Sequence, residues 1–188
     1  MRKLAATLAV VGALLFSSGS AWADFDDGWA AFERGDYATA LKEFRPLAEQ
    51  GHVVAQFNLG VMYDHGYGVP ENNTEAVKWF RKAAVQGNAK AQTNLGIMYV
   101  LGIGVPKDYV KAHMWFSLAK AEGHEGAAKS LDMVKEEMNT TQIDEAQKLA
   151  AEWWEEHNNY RHVVRTALSN DFLKFGTIRR CTTLAASS

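Results

Sequence analysis

Residues 55–88 read AQFNLGVMYDHGYGVPENNTEAVKWFRKAAVQGN, and residues 91–124 read AQTNLGIMYVLGIGVPKDYVKAHMWFSLAKAEGH. Set one above the other, they match at Ala55/Ala91, Leu59/Leu95, Gly60/Gly96, Tyr63/Tyr99, Pro70/Pro106, Ala76/Ala112, Trp79/Trp115 and Phe80/Phe116, a constant spacing of 36 residues. Gly51, Gly87 and Gly123 keep the same spacing. A period of this length marks a supersecondary unit that buries its apolar face only by stacking on its neighbours.

Within each unit, Ala, Leu, Gly and Tyr fall at i, i+4, i+5 and i+8, which places an apolar, small-residue stripe along one face of a helix. Gly60 and Gly96 lie mid-helix, where glycine costs about 1 kcal/mol relative to alanine. Their recurrence implies close packing against a partner helix. GYGVP and GIGVP end these helices: Gly66 or Gly102 can take the left-handed conformation, and Pro70 or Pro106 cannot continue a helix. A second helix is expected from near Asn73 or Asp108, both suitable N-caps. It carries Ala76, Trp79, Phe80, Ala83 and Ala84 in one unit and Ala112, Trp115, Phe116, Leu118 and Ala119 in the next, and it stops at Gly87 or Gly123. The aromatic pairs Trp79/Phe80 and Trp115/Phe116, in register across units, read as core.

The pattern continues in degraded form. Upstream, Ala40, Phe44, Ala48 and Gly51 match Ala76, Phe80, Ala84 and Gly87, after a loop about five residues shorter, with Trp29 and Phe32 as the stripe of the preceding helix. Downstream, Ala127 and Leu131 match Ala91 and Leu95, while Asp132 replaces the helix glycine and Lys135 the tyrosine. A last helix is expected from near Asn139, with Gln142 completing a capping box, burying Ile143, Ala146, Leu149, Ala150 and Trp153. Altered terminal units close the open ends of a stacked array. The expected fold is all-α, a solenoid of helix–turn–helix units with 7–8 helices.

Residues 1–23 read as a secretory leader: Arg2 and Lys3, an apolar run over 4–16, and the small-residue site Ala21-Trp22-Ala23. The run is too short for a membrane anchor. The repeat domain is then 24–157, with full repeats at about 52–87 and 88–123. Export is expected, to the periplasm rather than beyond, with no anchor after cleavage. The single cysteine, Cys181, forbids an intrachain disulfide, so stacking must supply the stability. Residues 158–188 form a basic tail, with Arg161, Arg165, Lys174, Arg179 and Arg180 against Asp171. Within it, Val163, Val164, Ala167, Leu168 and Phe172 fit one short helix, and the rest is expected to be poorly ordered. The tail carries +4 and the body, 24–157, carries −8. An acidic body argues against nucleic acid as the main partner, because phosphates need clustered cations.

The units resemble Sel1-like repeats, relatives of the tetratricopeptide repeat. The resemblance rests on AxxxLGxxYxxGxGVxxxxxxAxxWxxxAAxxG at 55–87 and its counterpart at 91–123, where the late Ala-Ala pair becomes Leu118-Ala119. It implies a right-handed α-solenoid serving as an adaptor for protein assembly, with no catalytic residue and no cofactor. By similarity to tetratricopeptide repeats, the first helices line the concave surface. The positions that the repeat leaves free there are Val54, Phe57, Asn58, Val61, Asp64 and His65 in one unit, and Lys90, Thr93, Asn94, Ile97, Val100 and Leu101 in the next. Asn58 and Asn94 recur, and their side-chain amides suit a peptide backbone. The expected function is an exported adaptor that binds a protein or peptide and helps assemble or regulate an envelope complex. The alternatives are a peptidoglycan- or β-lactam-binding envelope protein and a self-associating structural subunit.

Other chemistry is thinly represented. Ser117-Leu118-Ala119-Lys120 spells S-x-x-K, which in acyl-transfer enzymes activates a serine through lysine. Here it lies on a repeat helix with no S-D-N partner motif. The six histidines show no zinc-ligand spacing. The pairs Glu136-Glu137 and Glu155-Glu156 are adjacent on helices and so do not face each other.

Overall fold

The computed structural model describes residues 18–157. The helices are α1 (Ser18–Glu33), α2 (Tyr37–Glu49), α3 (Val53–His65), α4 (Asn73–Val85), α5 (Ala89–Leu101), α6 (Tyr109–Ala121), α7 (Glu125–Glu136) and α8 (140–157). These are the eight helices, and no strand occurs, among the described residues. Each of α1–α7 packs on its sequence neighbour, and α5 also touches α7. The result is an all-α solenoid of hairpins. The tail 158–188 and most of the leader lie outside the described residues, and α1 begins at Ser18, inside the segment read as the leader.

Local signals set the helix ends as the sequence implies, with small shifts. The N-cap of α4 is Asn72 rather than Asn73; its side chain accepts from the amide of Glu75 at 3.1 Å. Asp108 caps α6 in the same way through the amide of Lys111. Asn139 and Gln142 exchange reciprocal bonds, both at 3.0 Å, as a capping box requires. Gly66 and Gly102 close α3 and α5 in the left-handed conformation. The amide of Asn72 then donates back to the carbonyl of Tyr63, and that of Asp108 to Tyr99, so each GxGVP loop folds onto its own helix. The first hairpin loop is 34–36 against 66–72 in the second, four residues shorter rather than five.

The core is a ladder of phenylalanines. Phe44, Phe80 and Phe116 are buried on α2, α4 and α6. Each faces a glycine on the preceding helix. A Cβ at Gly60 would lie 2.5 Å from Cδ1 of Phe80, one at Gly28 would lie 2.8 Å from Cε1 of Phe44, and one at Gly96 would overlap the ring of Phe116. The mid-helix glycine is therefore a contact requirement, and Gly28 extends it to the first hairpin. Trp115 is buried as expected, but Trp79 is only half-buried, with the ammonium of Lys82 3.8 Å above its ring. Trp29 is exposed and Phe32 half-buried, because Gly28 and Ala31 face the core instead. In α8, Ala146 is buried, while Ile143, Leu149, Ala150 and Trp153 are only half-buried. No further described helix packs over them, although Trp153 meets Trp115 edge-on at 5.9 Å.

Candidate functional site

Successive hairpins are tied together by polar bonds that the apolar pattern does not reveal. The buried side chain of Gln56 donates from Nε2 to the carbonyl of Ala48 at 3.0 Å, and Gln92 does the same to Ala84. Each bond satisfies a carbonyl at the end of the previous repeat's second helix. Gln86 adds a bond from Nε2 to Oε1 of Gln56 at 2.7 Å. A further pair links second helices to the next first helices: Arg45 donates to the hydroxyl of Tyr63 and Arg81 to that of Tyr99. With these links, the first helices α1, α3, α5 and α7 form one continuous side of the array.

Two grooves open along that side. One, of about 420 Å³, is lined by Trp29, Val54, Phe57 and Asn58, the start of α5 at Asn88, Ala89 and Lys90, and the turn Glu122-Gly123-His124. It spans α1, α3, α5 and the cap of α7. The other, of about 390 Å³, lies between α5 and α7. Ile97, Val100 and Leu101 line it from α5; Ser130, Met133, Val134 and Glu137 face them, over a floor of Tyr109 and Phe116. Leu101 and Met133 are 60% and 63% exposed, high values for apolar side chains.

The sequence-derived positions divide accordingly. Val54, Phe57, Asn58 and Lys90 meet in the first groove, and Ile97, Val100 and Leu101 in the second. Val61, Asp64, His65, Thr93 and Asn94 line neither groove. Asn58 and Thr93, expected on the free surface, are buried. The Thr93 hydroxyl donates to the carbonyl of Ala89 at 2.9 Å and lies 3.2 Å from Nδ1 of His124. Nδ2 of Asn58 is buried without a hydrogen-bond partner, while Asn94 is only half-buried, so the two recurring asparagines do not share one setting. Asp64 is also half-buried; burial raises its pKa, His65 at 3.4 Å pulls the other way, and Glu71 pushes it up again. His65 turns back on its own helix, with Nδ1 3.2 Å from the carbonyl of Val61.

Several groove residues were legible but missed. Met133, Ser130 and Glu137 stand 36 residues beyond Ile97, Asn94 and Leu101, so carrying the period one unit further finds them. Trp29 stands at the position of Val61 once the shorter first loop is allowed for, whereas Glu122 and His124 enter through the stacking of neighbouring units.

The S-x-x-K serine stands apart from both grooves. Ser117 Oγ lies 3.4 Å from Nδ1 of His113 on the same helix, and it lines neither groove. His113 is buried in the slot that Val77 fills one repeat earlier, with Nε2 unpartnered. Burial, helped by the charge of Lys135, lowers its pKa. Among the described residues, no three His, Cys, Asp or Glu side chains gather as a metal site would need, and no helix is long and apolar enough to cross a membrane.

Comparison with known proteins fits this geometry. The Sel1 repeat family model matches residues 53–88 and 89–124, one residue later than the boundaries read from the sequence. The chain carries two Sel1 repeats. Sel1 repeat proteins generally mediate protein–protein interaction, and the fold is typically a non-catalytic scaffold. A crystal structure of a protective antigen present in uropathogenic Escherichia coli strains, displaying an SLR fold, superposes with a TM-score of 0.70 at 32% identity, covering 75% of this chain and 31% of that one. A Sel1 repeat protein from Oxalobacter formigenes superposes with a TM-score of 0.58 at 31% identity, over 69% of this chain and 55% of the other. Among curated proteins, DAP3-binding cell death enhancer 1 of Rattus norvegicus is 38% identical over 50 residues, and that of Mus musculus is 37% identical over the same length. That stretch is 27% of this chain and 10% of each relative, so the likeness is to a small part of those proteins.

Proposed function

We propose that this chain is an exported, non-catalytic adaptor. It binds a protein or peptide partner across the concave, first-helix side of its Sel1 repeats and helps assemble or regulate an envelope complex. The observation that carries the reading is the run of two grooves across α1, α3, α5 and α7, with Val54, Ile97, Leu101 and Met133 exposed along it. Apolar side chains held open on a rigid stack favour binding, because little conformational entropy remains to be lost. The leader-like segment 1–23 supports export, and periplasmic residence is the address proposed.

A photo-crosslinking amino acid placed singly at Val54, Leu101, Lys78 or Lys82 tests this in the producing cells. Adducts from Val54 and Leu101, with none from the opposite-side lysines, are expected. Adducts from Lys78 and Lys82 alone, or from no position, would overturn the groove assignment. Cell fractionation of the chain with and without residues 1–23 tests export separately.

A further inference from the structure

We propose, resting on the adaptor reading, that the groove spanning α1, α3, α5 and the cap of α7 recognises the free C-terminus of a partner polypeptide whose last residue is large and apolar. Trp29, Val54 and Phe57 give the groove an apolar wall, and the starts of α5 and α7 give it a polar one. Trp29 and Val54 are 42% and 43% exposed, so an apolar side chain laid on them removes area from water on both partners.

The polar wall suits an anion. α5 contributes its cap and first two residues, Asn88, Ala89 and Lys90. The side chain of Asn88 accepts from the amide of Ala91, and its carbonyl accepts from that of Gln92. The amides of Ala89 and Lys90 come before both, where a helix has no acceptor of its own to offer. His124 brings the start of α7 alongside. The Thr93 hydroxyl gives its proton to the carbonyl of Ala89, so at 3.2 Å Nδ1 of His124 is the donor to Thr93. Two helices thus begin at one groove, each positive at its start. Lys90 adds a full positive charge, and its side chain is exposed.

Asn58 is the independent sign of a ligand. It lines the same groove, is only 6% exposed, and its Nδ2 has no hydrogen-bond partner. A buried donor left unpaired is costly and therefore uncommon. What satisfies an amide donor is an oxygen acceptor, and a carboxylate is the strongest of these. The donor, the helix starts and Lys90 therefore ask for the same group.

The neighbouring apolar wall decides its source. A C-terminal leucine or phenylalanine carries a carboxylate and an apolar side chain on one Cα. Aspartate and glutamate put the charge at the side-chain tip and leave the apolar wall to another residue. Glu122, the one carboxylate among the lining residues, disfavours a second negative charge on the ligand.

The test passes the full chain over short peptides tethered by their N-termini and mixed at every position but the last. Binding is expected where the last residue is Leu, Phe or Met with a free carboxylate. Amidating that carboxylate should weaken it about tenfold or more, and so should Lys90→Gln, each removing a charge-assisted contact. Asn58→Leu keeps the side-chain volume and should also weaken binding, with unchanged circular dichroism; if that variant does not fold, Lys90→Gln decides. Lys78→Gln, on the opposite side, should change nothing. Equal binding to amidated peptides, no response to Lys90→Gln, or no binding at all overturns the proposal. Equal binding to amidated peptides with a fixed internal glutamate assigns the site to acidic side chains and overturns it too. Photo-adducts at Val54 in cells, with no response to amidation on the array, leave the adaptor reading standing and remove this one. Terminal recognition on the array without adducts in cells does the reverse.

Discussion

The guanidinium of Arg81 donates from Nη2 to the hydroxyl of Tyr99 at 2.8 Å, joining the second helix of one repeat to the first helix of the next. Arg45 and Tyr63, each 36 residues earlier, make the same bond at 3.3 Å. One repeat later the partners would be residues 117 and 135, where Ser117 and Lys135 stand. Both halves of the clasp change together, at the junction where the array passes into its terminal unit. The substitutions of arginine by serine and of tyrosine by lysine are thus two sides of one lost bond.

This bond should carry measurable coupling. In a double-mutant cycle with Arg81→Ala and Tyr99→Phe, denaturant unfolding is expected to give an interaction energy of about 0.5–1.5 kcal/mol. The cycle at Arg45 and Tyr63 should fall lower, because that pair is longer and more exposed. Equal values at both junctions would contradict the geometry.

Gly96→Ala should destabilise the protein although alanine is the better helix former. The propensity gain is about 1 kcal/mol. Against it, the new methyl meets the ring of the buried Phe116, and overpacking of this kind costs about 1–3 kcal/mol. Phe116→Leu in the same chain should recover part of the loss. Thermal unfolding of the three variants reads the sign directly.

The two glycines of each GxG turn should respond differently. Gly102→Ala places a Cβ at φ +71° with its nearest neighbours at 3.4 Å, so strain alone opposes it, by about 1–2 kcal/mol. Gly104→Ala has similar strain, at φ +69°, and also drives the methyl into the carbonyl of Asn73 at the start of the previous repeat's second helix. It should lower the melting temperature further than Gly102→Ala. Identical shifts would mean that the turn does not press on its neighbour.

His113 should make stability fall in acid. Its pKa is lowered in the folded state by burial and then by Lys135, so below the ordinary value of 6.5 the unfolded chain takes up the proton first. Stability is complete above that pH and is lost as pH drops toward the lowered value. His113→Val, which restores the residue type found at Val77, should remove this contribution to the slope. It should also raise stability by about 1 kcal/mol near neutrality by removing the unpartnered Nε2. Urea titrations of both proteins between pH 5 and 8 should converge least at the acid end.

Much of this architecture is written locally. The 36-residue period, the capping box at Asn139, the Asp108 cap and the left-handed glycines all act within a few residues of where they are read. Gly60 and Gly96 were interpretable because recurrence in a costly position implies a contact. Gly28 escaped because the first loop is four residues shorter, which moves its match to Gly60 from 36 to 32 residues.

The candidate site was less legible. Leu101 and Asn58 both sit at positions that the repeat leaves free, yet Leu101 is exposed in a groove and Asn58 is buried. Exposure at such positions depends on how far the adjoining unit overlaps each first helix, and that overlap is set by packing between residues far apart in the chain. The sequence by itself determined the hairpin, its period and its breakers, because these follow from contacts at i, i+4 and from backbone conformations that glycine and proline impose. Only the tertiary structure decided which free positions meet in a groove, that Gly68 and Gly104 press against the preceding repeat, and that arginine and tyrosine are one clasp. Those facts exist only once the units are stacked.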